Sequence, residues 1–179
     1  MLFRSVTLHA GIAGGADIIL LPEMPYDINS VVDAIEKRGK AGKRFTIIAV
    51  AEGAISKEDA ALSKKELKEK KAKKKYPSVA YELAEKIQEK TDKEVRITVP
   101  GHTQRGGSPC AYDRVLATRL GAEASRAILE GDFGCMVGTR NQEIIRVPLS
   151  EVAGKLKYVD PKASIIGEAK TIGISFGDE

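Results

Sequence analysis

The sequence predicts an α/β fold in which a parallel-type sheet is flanked by helices. Short runs of apolar, largely β-branched residues alternate along the chain with amphipathic segments of helical spacing. Seventeen glycines against seven prolines are typical of a chain with many tight turns between such elements. Strand–helix–strand units of this kind favour a parallel sheet, whose ligands bind where the strands end. Glu52 and the loop 101–107 follow predicted strands and are the places to expect a site.

Residues 1–100 supply three predicted strands, at 16–21, 45–51 and 94–99, where apolar residues run continuously or alternate with polar ones. A first helix ends before Gly14. We expect Asn29 or Ser30 to cap a second helix that ends near Gly39, and Ser78 to cap a third. The residues predicted to face inward on the second and third helices are Val31, Val32, Ile35, Val79, Leu83 and Ile87.

Beyond residue 100 we expect a polar loop at 102–109, a long helix at 111–130, two short strands at 133–137 and 143–147, and a helix at 149–156. The inner face of the long helix is predicted to hold Val115, Leu116, Leu120, Ala124 and Ile128. The segment 163–179 has no clear period. The predicted domains are 1–100, with a lysine-rich insertion at about 56–76, then 101–156, and a tail at 157–179.

The basic balance of the chain belongs to one segment. Between Lys57 and Lys75 nine lysines and four acids give a charge of +5, against +4 for the whole chain, so the remainder carries −1. The segment has few apolar residues and acids throughout, which favours a solvated helical insertion or partly disordered hairpin over a nucleic-acid-binding surface. Nucleic-acid binding through this segment stays open as an alternative.

The sequence also bears on cellular location and on whether the cysteines form disulfides or a metal site. The longest apolar runs, such as 18–21 and 47–51, are too short to cross a bilayer, and the first residues lack the pattern of a secretory signal. Cys110 and Cys135 cannot form a disulfide framework, and neither lies beside a second ligand at metal spacing. We therefore expect a cytoplasmic protein with no membrane partner.

Most of the useful chemistry lies between residues 96 and 107. Two guanidinium groups, Arg96 and Arg105, occur here with His102 and three glycines at the end of a predicted strand. Arginine and histidine donate hydrogen bonds to phosphate oxygens, and glycines let backbone N–H groups approach an anion closely. This combination suits a phosphate monoester. The alternative is a polar turn whose arginines pair with local acids.

The same segment resembles the signature of the 6-phosphofructokinase family. It has Arg96, then Gly101-His102, Gln104-Arg105-Gly106-Gly107 and Asp113-Arg114 at the family's spacing. The resemblance extends to 9–17, to the strand ending in Pro22-Glu23, to 51–53 and to 108–114, and it covers about residues 6–150.

The resemblance implies a role for each matching residue. Arg96 would reach the 6-phosphate of fructose 6-phosphate across a subunit boundary, and His102 and Arg105 would hold that phosphate within their own subunit. Thr103 and Gln104 would line the site, and Glu52 would bind sugar hydroxyls. Asp17 and Lys43 loosely match an effector site of allosteric members, although a strand-start acid and a solvated lysine are equally good interpretations.

Two family segments do not occur in this chain. The Gly-Gly-Asp loop of the phosphate-donor site and the Thr-Ile-Asp-Asn-Asp segment that holds the catalytic base are both missing. The chain therefore resembles the C-terminal half of the enzyme, the sugar-phosphate half of a two-domain fold, with no catalytic base and no metal ligand of its own. The resemblance implies that 1–100 is the smaller, fructose 6-phosphate-binding domain, and that 101–156 holds the phosphate loop and elements that return towards the missing donor domain.

We expect the complete enzyme to use Mg²⁺ and to transfer a phosphoryl group from ATP or pyrophosphate to the 1-hydroxyl of fructose 6-phosphate. The product is fructose 1,6-bisphosphate, in glycolysis, and the enzyme is expected to be a homodimer or homotetramer that shares Arg96 across an interface. The alternative function is that of a non-catalytic sugar-phosphate-binding fragment.

Overall fold

A computed structural model describes residues 4–72 and 76–179, which form two compact units. The first unit comprises Met1–Thr98 and Tyr158–Glu179, and the second comprises Val99–Lys157. The predicted divisions after residues 100 and 156 lie close to this boundary. The segment 157–179 is not a separate tail, because residues 158–179 belong to the first unit.

The first unit is built on a small parallel sheet, which confirms the predicted fold class. Strand β1 (Ile18–Leu20) pairs in parallel with β2 (Ile48–Val50). On the other side of β1, Ser175 forms a parallel bridge to Ile18. The second strand is shorter than predicted, since Phe45 and Ile47 are exposed and only the centre of that apolar run pairs.

Six of the helices among the described residues belong to this unit. Numbered in chain order, they are α1 (Arg4–Ala13), α2 (Ile28–Lys40), α3 (Lys57–Ala60), α4 (Lys64–Ala72), α5 (Val79–Lys90) and α8 (Ser164–Thr171). The predicted lysine-rich insertion is thus helical over α3 and α4, while residues 73–75 lie outside the described part of the chain. No helix among the described residues has the length and apolar character needed to cross a bilayer.

The cap of α2 differs from the prediction. Asp27 precedes the helix in an extended conformation, and its carboxylate accepts a hydrogen bond from the Asn29 N–H group at 2.7 Å. Asn29 and Ser30 are therefore helical residues, because the cap is the last residue with a non-helical backbone. Ser78 does precede α5, but its hydroxyl makes no capping hydrogen bond.

Two apolar clusters lie on opposite faces of the sheet, because successive strand residues point to opposite sides. Ile19 and Leu21 pack in a cluster with α1, α8 and Phe176. Ile18 and Leu20 pack in a second cluster with α2 and α5. The sheet is thus buried on both faces, as parallel sheets require.

The C-terminal segment, which the sequence left undetermined, is part of this core. After α8, Ile174 and Phe176 are buried, and Phe176 is 0% exposed. Gly177 has φ +66, and a Cβ there would lie 3.0–3.1 Å from Val31, Leu20 and Tyr26. Its carbonyl accepts a hydrogen bond from the Asp27 N–H group at 2.7 Å, so the segment is fixed against the start of α2.

The second unit begins with a 3₁₀ helix (Gly101–Arg105) and continues through α6 (Ala111–Glu130), β3 (Cys135–Arg140), β4 (Glu143–Pro148) and α7 (Leu149–Val152). The two strands form an antiparallel hairpin, unlike the parallel pair of the first unit. Asn141 and Gln142 make its turn with φ values of 50 and 69, the left-handed conformation of a tight hairpin turn.

Several details of this region correct the sequence prediction. The predicted strand at 94–99 has no regular secondary structure and pairs with no described strand, and the predicted loop 102–109 begins within a 3₁₀ helix. Helix α6 has the predicted bounds, yet Val115 and Ile128 are exposed and only Ala127 is buried. The last helix ends at Val152 rather than at residue 156.

Arg146 joins the hairpin to α6. Its guanidinium group contacts the carboxylates of Glu123 and Glu130, each at 2.7 Å, and of Asp132 at 3.0 Å. These hydrogen bonds, first that to Glu130, raise the pKa of Arg146 above its ordinary value, so the side chain stays charged. The positive charge of Arg146 therefore stabilises three neighbouring carboxylates that would otherwise repel each other.

Candidate phosphate-binding loop

The loop that runs from the start of the second unit to α6 contains a short turn and two glycines with special backbone angles. The 3₁₀ helix starts after Pro100, and the Thr103 N–H group donates to the Pro100 carbonyl at 3.2 Å. Gly101, the first residue of this helix, and Gly107, two residues after its end, have φ values of +55 and +90. Residues with a Cβ rarely adopt these values, so the glycines are required by the backbone.

His102 and Arg105 lie on this one turn and are both exposed. Among residues 4–72 and 76–179 neither side chain has a hydrogen-bond or ion-pair partner. A guanidinium and an imidazole with all of their donors available, three residues apart on a turn, have the chemistry to donate hydrogen bonds to an anion. The alternative of a turn whose arginine pairs with a local acid does not describe Arg105.

Thr103 and Gln104 lie between these two residues, but their side chains are hydrogen-bonded within the turn. The Thr103 hydroxyl donates to the Pro100 carbonyl, and the Gln104 side-chain amide donates to the Gly101 carbonyl at 3.3 Å. Both side chains therefore stabilise the turn itself. Their predicted role in lining a ligand site stays a prediction.

Asp113 and Arg114 were part of the sequence signature but had no predicted role. The Asp113 carboxylate accepts a hydrogen bond from the Cys110 N–H group at 2.9 Å, and Arg114 donates to the Pro109 carbonyl at 3.2 Å. Both contacts join the start of α6 to the end of the loop. Their spacing at the N-terminus of a helix was the signal in the sequence.

Glu52 belongs to the first unit and is exposed on the turn that follows β2. The Ala54 N–H group donates to the Ala51 carbonyl at 2.9 Å, which closes this turn around Glu52. The carboxylate has no partner among the described residues. It stands at the carboxyl end of a parallel strand, where α/β sheets bind ligands.

Arg96 has a partner, and it is the local acid that the sequence offered as an alternative. The Arg96 guanidinium lies 2.9 Å from the Glu94 carboxylate, and the two side chains are 85% and 73% exposed. Val95 and Ile97, the two chain neighbours of Arg96, are half-buried, whereas Arg96 itself is exposed. An ion pair this exposed contributes at most about 1 kcal/mol and is readily exchanged for another anion.

Of the two predicted effector residues, Asp17 serves the fold. Its carboxylate lies 2.8 Å from the Arg38 guanidinium and accepts a hydrogen bond from the Ile47 N–H group at 2.8 Å. It thereby joins the start of β1 to α2 and to the residues before β2. Lys43 is exposed in the turn after α2. Their role in an effector site stays a prediction.

The structure thus brings His102 and Arg105 together in the second unit, with Thr103 and Gln104, and places Glu52 and Arg96 in the first. Within the described parts of the chain, no group of three His, Cys, Asp or Glu side chains could hold a metal ion.

Comparisons with known proteins agree with the sequence signature. The Phosphofructokinase family profile matches residues 5–128. An ATP-dependent 6-phosphofructokinase of Spirochaeta thermophila is 49% identical over 173 residues, which are 97% of this chain and 47% of that protein. A pyrophosphate–fructose 6-phosphate 1-phosphotransferase of Amycolatopsis methanolica is 46% identical over 158 residues, 88% of this chain and 46% of that protein.

Solved structures give the same result. Phosphofructokinase of Pichia pastoris in the T-state has a TM-score of 0.60 at 34% identity, covering 82% of this chain and 16% of that one. The enzyme from Saccharomyces cerevisiae has a TM-score of 0.61 at 27% identity, covering 97% and 20%. The chain spans about half the length of the curated relatives it matches. With a matching family profile over most of its length, this chain belongs to the phosphofructokinase family.

Proposed function

We propose that this chain is the sugar-phosphate-binding half of a 6-phosphofructokinase. The reaction transfers a phosphoryl group from ATP or pyrophosphate to the 1-hydroxyl of fructose 6-phosphate and gives fructose 1,6-bisphosphate, as in glycolysis. One observation carries the proposal: His102 and Arg105 project from one glycine-flanked turn without a partner among the described residues. The turn lies inside the segment that matches the family.

In this proposal the turn binds the 6-phosphate. Arg105 donates hydrogen bonds from its planar guanidinium, and His102 donates from one ring nitrogen. Their donors would replace part of the water that surrounds the phosphate, and neither side chain would have to give up a protein partner first. Holding the phosphate fixes the sugar and leaves its 1-hydroxyl at the far end free to react.

For Glu52 we propose contact with sugar hydroxyls. Its carboxylate is an acceptor, so it suits hydroxyl donors and is unsuited to the phosphate end of the substrate. Thr103 keeps the two acceptor lone pairs of its hydroxyl, and Gln104 keeps its amide oxygen, so both can contact the substrate while they stabilise the turn.

The donor and the metal are assigned to the part of the enzyme that this chain does not cover. Relatives are named for ATP and for pyrophosphate, so the family supplies both choices. Mg²⁺ would neutralise charge on the transferring phosphoryl group when bound. The described residues offer no cluster for it, so we derive no step through the metal from this chain.

For Arg96 we propose binding to the 6-phosphate of a neighbouring subunit, which makes the enzyme a homodimer or homotetramer. The exposed ion pair with Glu94 would be exchanged for the stronger bidentate contact to a phosphate. A cytoplasmic location and an effector site that includes Asp17 and Lys43 complete the proposal.

The test joins the chain to the portion of the Spirochaeta thermophila relative that it does not match. A coupled assay with fructose 6-phosphate, Mg²⁺ and either donor should show turnover for the joined protein and background for the chain alone. Turnover by the pure isolated chain would contradict the assignment of the donor site and base to the other half.

In the joined protein, Arg105→Ala should raise the half-saturating concentration of fructose 6-phosphate about ten- to a hundredfold, because a charge-assisted hydrogen bond is worth about 1.5–3 kcal/mol. His102→Ala should raise it less. Arg114→Lys is a matched control, since Arg114 is a neighbouring arginine that donates to the Pro109 carbonyl and has no proposed contact with the phosphate. Unchanged values for both loop variants would remove the phosphate-site assignment.

The role of Arg96 is tested by complementation in the same joined protein. An Arg96→Ala subunit is mixed with a subunit that carries His102→Ala and Arg105→Ala. If Arg96 acts across a boundary, mixed dimers contain one intact site and regain part of the activity. Heterodimers that form without regaining activity would place Arg96 in its own subunit's site.

A non-catalytic sugar-phosphate-binding fragment is the second candidate. The observation in its favour is that the chain matches only 47% of the length of its Spirochaeta relative. Calorimetric titration of the isolated chain distinguishes the two. Binding of fructose 6-phosphate that Arg105→Ala abolishes, together with a joined protein that shows no turnover, would favour the fragment.

A further inference from the structure

A cavity of about 390 Å³ lies within the first unit, and none of its lining residues belongs to the proposed fructose 6-phosphate site. Residues 23–25, directly after β1, form part of its wall. Lys57 at the start of α3, Pro161 ahead of α8, Lys170 on α8 and Asp178 in the C-terminal segment complete the lining. Pockets for small molecules commonly have volumes of about 300–1,000 Å³, so this cavity is large enough for one.

The cavity lies where two neighbouring parallel segments of the sheet end. Strand β1 ends at Leu20 and continues into residues 23–25, while the segment that bridges to Ile18 at Ser175 continues to Asp178. Open α/β sheets bind their ligands outside the carboxyl ends of parallel strands. The cavity therefore occupies the edge of the sheet at which this kind of fold holds small molecules.

Backbone hydrogen bonds fix the walls before any ligand arrives. The Tyr26 N–H group donates to the Ile55 carbonyl at 3.0 Å, and the Lys57 N–H group donates to the Tyr26 carbonyl at 2.8 Å. The hydrogen bond from the Asp27 N–H group to the Gly177 carbonyl joins the C-terminal segment to the same turn. A site whose backbone is already ordered loses little conformational entropy on binding.

The charges on the walls balance each other. Lys57 and Lys170 supply two ammonium groups, and Glu23 and Asp178 supply two carboxylates. Lys170 and Asp178 satisfy one another, since the ammonium nitrogen lies 2.7 and 3.0 Å from the two carboxylate oxygens. A phosphate monoester would bring up to about two negative charges to walls that have no excess of positive charge. A ligand with one group of each sign keeps the balance.

Lys57 and Glu23 can each form further hydrogen bonds. The Lys57 ammonium group, which has three N–H donors, donates to the Asp178 carbonyl at 3.1 Å and forms no ion pair among residues 4–72 and 76–179. The Glu23 carboxylate accepts a hydrogen bond from the Val159 N–H group at 3.4 Å, and its two oxygens have about four lone-pair positions. Lys57 is thus suited to a carboxylate, and Glu23 to an ammonium group.

The rest of the lining is apolar. Met24 is 6% exposed, and Pro25 and Pro161 contribute two rigid rings. A methionine side chain adapts to irregular apolar shapes, so this wall can cover apolar groups of varied form. The cavity thus combines an apolar wall with two groups of opposite charge.

We propose that this cavity binds a small zwitterion, an α-amino acid with an apolar side chain. The carboxylate of the ligand accepts hydrogen bonds from Lys57, its ammonium group donates to Glu23, and its side chain packs on Met24 and the two prolines. The proposal does not depend on the proposed function, because the two sites share no residue.

The methionines give a direct readout of binding. The chain has three, of which Met24 lines the cavity and Met136 lies in the second unit. The full chain, labelled with ¹³C at the methionine methyl groups, is titrated with L-phenylalanine, L-leucine and L-methionine, and Met24→Leu assigns the signal. The Met24 signal should move with at least one of these amino acids, while the Met136 signal stays in place.

Calorimetric titration with the tightest of these amino acids measures the contribution of each charge. Lys57→Met and Glu23→Gln should each weaken binding about ten- to a hundredfold, because each removes a charge-assisted hydrogen bond. The deaminated and the decarboxylated analogue of the same amino acid should bind more weakly by a similar factor. These analogues test the same two contacts without changing the protein.

Lys40→Met and Glu36→Gln are the matched controls. These two residues form an exposed ion pair on α2 with 3.7 Å between the charged groups, and neither lines the cavity. Both substitutions should leave the dissociation constant unchanged, and circular dichroism should show the same fold for all variants.

The proposal is wrong if none of the three amino acids moves the Met24 signal at millimolar concentration. It is also wrong if the analogues that lack one charge bind as tightly as the amino acid itself. Inorganic phosphate is the remaining probe. If it moves the Met24 signal and binds more tightly than every amino acid, the cavity is an anion site and the proposal is overturned.

Discussion

The two units of the chain differ in how they use their apolar residues. In the first unit a three-stranded arrangement, β2, β1 and the segment at Ser175, is covered on both faces by helices, and nearly all buried apolar residues lie there. The second unit has one buried apolar residue and a charge cluster around Arg146 instead. The first unit can fold by burying its own surface, whereas the second holds its shape by hydrogen bonds and exposes the candidate phosphate-binding loop.

The largest expected change in the free energy of unfolding comes from comparing one phenylalanine of each unit. Phe176→Ala should lower the free energy of unfolding by about 3–5 kcal/mol, because Phe176 is 0% exposed and its removal leaves a cavity. Phe133→Ala, at a residue 73% exposed, should change it by less than about 0.5 kcal/mol. Urea unfolding followed by circular dichroism measures both. Equal losses would mean that the second unit has a core as well.

Alanine substitutions at two glycines distinguish the cost of backbone strain from the cost of crowding against neighbouring side chains. Gly177→Ala should cost about 2–4 kcal/mol, because a Cβ at φ +66 is strained and also lies 3.0 Å from Val31. Gly154 in the second unit has φ +73 with nothing within 4 Å, so Gly154→Ala should cost only the strain, about 1–2 kcal/mol. The same urea titration gives both values, and a smaller loss at Gly177 would contradict the tight packing of the C-terminal segment.

The third prediction uses pH. Burial, and then the nearby charge of Glu82, raises the pKa of Tyr26 from 10.0 to about 12. The folded pKa lies above the unfolded one, so the stabilisation is complete below pH 10 and is lost as the pH rises to 12. Stability should fall by about 2–3 kcal/mol over this window, and Tyr26→Phe should remove that part of the fall.

Tyr112→Phe is the control for this measurement, since Tyr112 in the second unit is 73% exposed. Its substitution should leave the alkaline pH dependence of unfolding unchanged. A pH profile that responds to Tyr112 and not to Tyr26 would contradict the burial of the phenol.

The smallest effect concerns ion pairs. Glu94→Ala should change the free energy of unfolding by less than about 1 kcal/mol, because its pair with Arg96 is exposed on both sides. Glu123→Ala should lower the melting temperature more, since its 15% exposed carboxylate binds both Arg126 and Arg146. The reverse order in a thermal melt would contradict the view that hydrogen bonds hold the second unit together.

The sequence predicted the fold class and the bounds of α6, because these depend on local patterns. It was wrong about Val115 and Ile128, since periodicity reveals apolar stripes but not which of two stripes packs within the chain. The alternation at 94–99 indicated half-burial, which the structure has, but not pairing with a strand. The position of Phe176 could not be predicted, because it depends on contacts with residues far away in the sequence.

The placement of Ser175 beside Ile18 has a consequence for the order of events during synthesis. The ribosome makes β1 and β2 before the second unit, but the segment that covers the other edge of β1 emerges only after the whole second unit has been translated. Domains generally fold as units during synthesis, N-terminal ones first. Here the first unit has to wait for the second, so the open edge of β1 is exposed to chaperones and to other nascent chains for the time that translation of residues 99–157 takes.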